Sequence, residues 1–234
     1  MFTIGVPKKL PGRILAVGTA SAVAIAGGIA FGAPATAAPV TVSLDPALGA
    51  CVQAEFPGTT FTVAALDGLN GHLDCSNANI NSLLGIGYLS GLASLDLSGN
   101  AITDFADLGD LSDLVELDLS NTGLTDLTLL EDLTDLLDLD LSGNGITDLV
   151  GLDDLTDLLS LDLSDNGITD LLPIEDLTNL LNLDLSGNGL TDLLPLEDLT
   201  NLLNLDLSDN LLENLAGLED LENLLNLDLG QNLL

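Results

Sequence analysis

A short motif in which leucine and aspartate alternate returns along the chain at a fixed interval. Leu-Asp-Leu begins at Leu95, Leu117, Leu139, Leu161, Leu183, Leu205 and Leu227, each 22 residues after the one before. A degenerate copy, Leu73-Asp74-Cys75-Ser76, stands one period earlier. Within a period the apolar positions read LxxLxLxxNxIxxLxxLxxL; one copy is Leu158, Leu161, Leu163, Asn166, Ile168, Leu171, Ile174 and Leu177. Strict alternation over a short stretch predicts an extended strand, with Leu161 and Leu163 facing inward and Asp162 outward. One such turn cannot bury its own apolar side, whereas stacked turns bury a continuous column of Leu and Ile. The spacing therefore predicts a coil of like turns. Their strands form one parallel sheet on the concave side, and the rest of each period returns along the convex side as short 3₁₀ or extended segments.

A polar position inside this pattern also repeats. Asn100, Asn144, Asn166, Asn188, Asn210 and Asn232 share one slot, with Thr122 in the place of the missing copy. An inward amide there can bond the backbone of neighbouring turns, where the bend buries N–H and C=O groups. The column is read as structural. Thr122 is expected to leave a local defect, partly relieved by Asn121.

The pattern "SGNGITDLxxLxxLTxLxxLDLS", with its 22-residue period, resembles bacterial leucine-rich repeats of the internalin type. The resemblance covers Leu73 to Leu234. It implies an α/β-type solenoid: a right-handed leucine-rich repeat horseshoe with a concave parallel sheet, one short strand per repeat and a small N-terminal cap. It also implies a secreted or surface-bound binding scaffold, because members of that family generally bind other molecules and several act in adhesion to other cells. Fold alone does not name the partner.

Three regions follow. Residues 1–37 read as a signal peptide: Met1 to Arg13 is short and basic, Ile14 to Ala33 is apolar, and Ala35-Thr36-Ala37 fits the small-x-small cleavage pattern. Cleavage after Ala37 leaves an extracytoplasmic protein with no membrane insertion; the rival reading is an uncleaved anchor, for which the apolar stretch is long enough. Residues 38–72 form the cap, with a short helix beginning near Asp45-Pro46. Residues 73–234 form the repeat domain, eight repeats with the last incomplete. The sequence stops in mid-repeat after Asn232, so an uncovered last face, open to end-to-end self-association, is expected. Cys51 and Cys75, the two cysteines, are expected to join in a disulfide that bolts the cap helix to the first strand. Closing that loop is worth roughly 3 kcal/mol in the chain-entropy picture.

Charge narrows the function. There are 37 acidic residues against 3 basic ones, a formal net charge of −34. Lys8, Lys9 and Arg13 are the only bases, all inside the leader, and no acid precedes Asp45. A mature chain without Lys or Arg has nothing to pair with phosphates, which excludes nucleic acid and disfavours anionic membrane surfaces. Enzymatic motifs are absent: there is no GxSxG, P-loop or HExxH, and His72, the single histidine, reads as a cap residue. A regular solenoid offers a groove rather than a pocket, so the chain is not expected to be an enzyme.

The candidate site is the outward acid of each strand. Asp74, Asp96, Asp118, Asp140, Asp162, Asp184, Asp206 and Asp228 occupy one slot of eight successive turns and should point from the concave sheet into solvent. Adjacent strands lie about 4.8 Å apart, and two unit charges at about 5 Å repel by roughly 0.8 kcal/mol in bulk water. Beside this ladder, Ser94, Glu116, Asp138, Ser160, Asn182, Asn204 and Asn226 vary from turn to turn, as suits a position where specificity is placed. The expected use is binding of a protein, or a glycan, with a basic protein surface the natural complement. No cofactor is expected under that reading. The alternative is a calcium-stabilised surface protein whose cation sits on the densest patch, Glu116, Asp118, Asp138, Asp140 and Asp162, since calcium takes six to eight oxygens. Two further acidic columns run elsewhere. Asp110, Asp132, Asp154, Asp176, Asp198 and Asp220 are expected to make local backbone bonds on the convex side. Asp104, Asp126, Asp148, Asp170 and Asp192 lie at a turn.

Overall fold

Every 22-residue step contributes one short strand to a single parallel sheet. In a computed structural model, residues 39–234 are described; the expected signal peptide at 1–37 and its expected cleavage point lie outside the described residues. The strands are β1 (Gly71–Asp74), β2 (Leu92–Asp96), β3 (Glu116–Asp118), β4 (Asp138–Asp140), β5 (Ser160–Asp162), β6 (Asn182–Asp184), β7 (Asn204–Asp206) and β8 (Asn226–Asp228). Each pairs with the next in sequence, giving an open eight-stranded sheet in the order β1 to β8. Register is one repeat per strand: Leu95 lies beside Leu117, Leu117 beside Leu139, and so on to Leu227. This is the horseshoe that alternation and period predict. The sheet begins at Gly71, two residues before the predicted cap boundary, so His72 is a strand residue.

The inward leucines make one continuous core from Leu44 in the cap to Leu221 in the last turns. The convex return is built of short 3₁₀ turns at Ile86–Leu89, Leu108–Asp110, Thr128–Leu130, Leu172–Ile174 and Leu194–Leu196. Pro173 and Pro195 sit in the first turn of two of them, where a fixed φ and a missing N–H cost nothing. Gly151 and Gly217 fill the same slot in two other repeats, at φ +106° and +100°, and a side chain there would run into the Leu127 or Leu193 carbonyl. In those two turns the following acid folds back onto the glycine N–H. Gly151 donates to Asp153 Oδ1 at 3.3 Å and Gly217 to Glu219 Oε2 at 2.7 Å.

The Asn column holds the turns together from inside. Asn166 shows the pattern: Oδ1 accepts from Ile146 N at 2.9 Å, and Nδ2 donates to the carbonyls of Leu141 at 3.1 Å and Leu163 at 3.0 Å. One side chain thus spans two repeats. The relief expected from Asn121 at the Thr122 repeat is not what occurs. Thr122 Oγ1 donates to the Leu119 carbonyl at 2.7 Å, and Ile102 N donates to the Thr122 carbonyl at 3.2 Å. Asn144 Oδ1 covers the N–H groups of Thr122, Gly123 and Leu124. Asn121 is exposed and turned away, because its backbone is left-handed, at φ 55°. Among the described residues no buried side-chain polar atom lacks a partner.

The helix expected near Asp45-Pro46 and the expected disulfide both form. Helix α1 (Pro46–Glu55) starts at Asp45, whose carboxylate accepts from Ala47 N at 2.9 Å and Leu48 N at 3.2 Å. Cys51 on this helix is bonded to Cys75, just past β1, with Cα atoms 5.7 Å apart. A second short helix, α2 (Val63–Leu66), is capped by Thr62, which also bridges antiparallel to Thr41. No helix among the described residues is long and apolar enough to cross a membrane.

Candidate functional site

The outward residues of the eight strands make up the concave face in two parallel columns. The first is the aspartate ladder. Asp96 lies beside Asp118, Asp118 beside Asp140, Asp140 beside Asp162, and Asp184, Asp206 and Asp228 follow in the same register. The second holds the varying residues: Glu116 lies beside Asp138, Asp138 beside Ser160, and Asn182 beside Asn204. All the residues read from sequence as concave therefore share one face.

Their side chains are less free than the sequence suggests. The ladder from Asp96 to Asp206 is half-buried rather than fully solvated. Each carboxylate commits Oδ1 to the backbone N–H two residues on: Ser98 for Asp96 at 2.8 Å, Ser120 for Asp118 at 2.8 Å, Ser142 for Asp140 at 2.9 Å and Ser164 for Asp162 at 2.9 Å. Gly230 does the same for Asp228 at 2.8 Å. In several turns the serine hydroxyl adds a second bond to the same oxygen, as Ser164 Oγ does to Asp162 at 2.6 Å. The ladder is thus a row of Asx turns ending the strands. The signal in sequence is the serine two places after each aspartate, which looks like a second column of ligands until its backbone N–H is counted.

Burial first, and like charges second, raise three carboxyls of this face. Burial raises the Asp138 carboxyl above its ordinary range, the neighbouring Glu116 charge raises it further, and Asp118 and Asp162 add to that. Burial raises Asp140 and Asp184 in the same sense, reinforced by ladder neighbours and partly offset by the bonds from Ser142 and Ser186. Asp74, at the exposed end, is lowered by its bonds to Ser76. Among the described residues no three His, Cys, Asp or Glu side chains converge closely enough to hold a metal ion. The patch Glu116, Asp118, Asp138, Asp140 and Asp162 is one surface spread over three strands, with Oδ1 of Asp118, Asp140 and Asp162 already used.

Two concavities divide the groove. One of about 270 Å³ lies over His72, Ser94, Glu116, Asp118 and Asp138. A larger one, about 610 Å³, lies over Asp162, Asn182, Asp184, Asn204, Asp206 and Asn226. His72, which the sequence places in the cap, is the first residue of the varying column; its Nδ1 lies 2.7 Å from Ser94 Oγ. The 22-residue step from His72 to Ser94 was the available signal.

The convex acids are arranged differently from expectation. Local backbone bonds are made not by the Asp110 column but by the column after threonine. Asp148 Oδ1 accepts from Val150 N at 3.0 Å, Asp170 from Leu172 N at 3.0 Å, and Asp192 from Leu194 N at 3.0 Å. Asp104 and Asp126 cap in the same way, and Thr128 Oγ1 also binds Asp126, which lowers that carboxyl. The Asp148 column precedes the convex turn, where N–H groups are free to be capped, whereas after Asp176 and Asp198 the N–H two residues on already bonds the aspartate's own carbonyl, Thr178 N to Asp176 O and Thr200 N to Asp198 O, both at 2.8 Å.

This geometry defines a leucine-rich repeat solenoid. Internalin C2 of Listeria monocytogenes, in a crystal structure, is similar over 82% of this chain and 90% of its own, with 33% sequence identity and a TM-score of 0.75. A leucine-rich repeat protein of Leptospira interrogans is 35% identical over 68% of this chain and 43% of its own, with a TM-score of 0.65. The chain belongs to the bacterial internalin-type leucine-rich repeat proteins, whose fold is a scaffold for protein interaction. No protein-family model and no curated protein matches it.

Proposed function

We propose that this is an exported binding protein whose acidic concave face holds a protein with a basic surface. The observation that carries the reading is the registered aspartate ladder on a face where His72 is the only side chain able to carry positive charge. Aligned like charges cost stability, and a complementary partner relieves that cost while gaining speed of encounter. The groove lacks the Trp and Arg anchors of tight interfaces, so affinity is modest and salt-sensitive. Export rests on the leader ending at Ala37; mass spectrometry of protein from the culture medium should find Ala38 at its N-terminus, and a chain found only inside the cells with Met1 intact overturns it.

Calcium on the patch Glu116, Asp118, Asp138, Asp140 and Asp162 is the competing use. Its support is the in-register carboxylates; against it stands the loss of one oxygen per ladder aspartate to the Asx turn. Melting with millimolar calcium, compared with sodium of equal ionic strength, separates the two. A calcium-specific rise in Tm replaces the binding reading with the cation reading. Capture of a basic protein from the organism's surroundings at low salt, and its loss at high salt, supports the binding reading.

A further inference from the structure

Two columns change chemistry together at the middle of the solenoid. On the concave face the varying slot is acidic at Glu116 and Asp138, neutral at Ser160, and amide from Asn182 onward. Three residues before each of these, in the turn ahead of the strand, the slot is acidic at Asp113, Asp135 and Asp157 and becomes Asn179, Asn201 and Asn223. The acidic half is charged on both columns as well as on the ladder. The amide half keeps the ladder alone.

The amides are ordered. Asn226 Nδ2 donates to Asn204 Oδ1 at 2.5 Å, and Asn204 Nδ2 donates to Asn182 Oδ1 at 2.6 Å. Asn179 and Asn201 tie to the preceding turns through the carbonyls of Thr156 and Thr178, at 2.9 and 2.8 Å. A row of fixed primary amides offers donors and acceptors spaced by the strand repeat, over the larger of the two concavities.

We propose that the groove binds an extended polypeptide in one orientation along the solenoid, with its basic residues over β3 and β4 and its uncharged polar residues and main chain over β6 to β8. This rests on the acidic-groove reading above and adds the direction. Charge complementarity selects the end: a cation over Glu116 and Asp138 meets charge from that column and the ladder, whereas over Asn204 it meets the ladder only. The amide row can bond peptide N–H and C=O groups as a neighbouring strand does. The raised Asp138 carboxyl fits a place where a bound cation would relieve crowded negative charge.

The test uses a synthetic peptide with a block of alternating Lys and Ser followed by a block of alternating Asn and Ser, carrying a nitroxide at the lysine end. Paramagnetic broadening of backbone amides in the protein reports where that end lies. Broadening confined to β2 through β4 is the expected result. Glu116→Gln with Asp138→Asn should weaken binding about fivefold and flatten its salt dependence, while Asn204→Ser should weaken it under about twofold. Asn182→Asp with Asn204→Asp restores acid to the other half, and the label should then broaden both ends. Equal broadening along the unmodified groove, or broadening centred on β6 to β8, overturns the orientation and leaves the acidic-groove reading standing. No binding to the peptide at low ionic strength overturns both.

Discussion

The asparagine column and the aspartate ladder are alike in sequence, each holding one polar residue per turn, yet they do opposite things. Asn166 sits inside the bend and exchanges three strong bonds with backbone from two repeats. Asp162 sits outside, ties one oxygen to its own turn, and leaves the rest of its charge facing like charges on either side. Regular recurrence alone therefore does not separate a fastening from a surface. The partners do: the asparagine bonds cross between turns, and the aspartate bonds stay within one.

That contrast can be broken at its strongest point first. Asn144→Ala removes an amide serving Thr122, Gly123 and Leu124 on one side and the carbonyls of Leu119 and Leu141 on the other. Chemical denaturation should show a loss of about 3 kcal/mol or more, since several buried groups lose their partners at once. A loss below about 1 kcal/mol would mean that water replaces the column easily, and the fastening role fails.

A smaller effect is expected at Gly143→Ala. Gly143 has φ +68°, and a Cβ there would lie 2.6 Å from Asn121 Oδ1 in the preceding turn. The same backbone slot holds Asn77, Asn121, Asp165 and Asp209 in other repeats, also left-handed, so the conformation is required while the room for a side chain is not always present. Strain of about 1–3 kcal/mol is expected by denaturation.

The smallest effect concerns pH and the ladder itself. Asp138, Asp140 and Asp184 have raised carboxyls in the folded chain, so the folded state takes up protons before the unfolded one does. Their unfavourable contribution is fully present at neutral pH and fades as pH falls through the folded values. Asp74, Asp126 and Glu219 are shifted the other way, and their stabilisation is lost only at lower pH. Tm in low salt should therefore rise slightly from neutral to mildly acidic pH before it falls. A monotonic fall would show that neither the burial of these carboxylates nor the repulsion between them costs measurable stability.

Much of the architecture is legible in the sequence because the period is uninterrupted. Leu161 and its equivalents fix which side is buried, and no second register would bury them all. The cap helix is legible from Asp45-Pro46, and the disulfide from there being two cysteines in a sequence whose start reads as a signal peptide. What escapes is decided by backbone groups that carry no letter. The Asx turn at Asp162 depends on the Ser164 N–H, the repair at Thr122 on the Ile102 N–H and the Thr122 carbonyl, and the idle carboxylates of Asp176 and Asp198 on the Thr178 and Thr200 N–H groups, which bond backbone carbonyls instead. His72 escapes because the expected cap boundary falls between it and Leu73, although Leu73-Asp74 already sets the register that places it beside Ser94. That the ladder acids share one register was legible; their half-burial was not, because Ser98, Ser164 and Ser208 draw the carboxylates back onto the sheet end.

The most direct measurement is made on the triple variant Asp118→Asn, Asp140→Asn, Asp162→Asn. Asparagine keeps an oxygen for each Asx turn but removes the charge. A surface kept for its field predicts a Tm equal to or above that of the parent chain in low salt, together with a clear loss of affinity for a lysine-containing peptide. A Tm lower by several degrees with peptide affinity unchanged would contradict it, and would make the ladder a fastening like the asparagines.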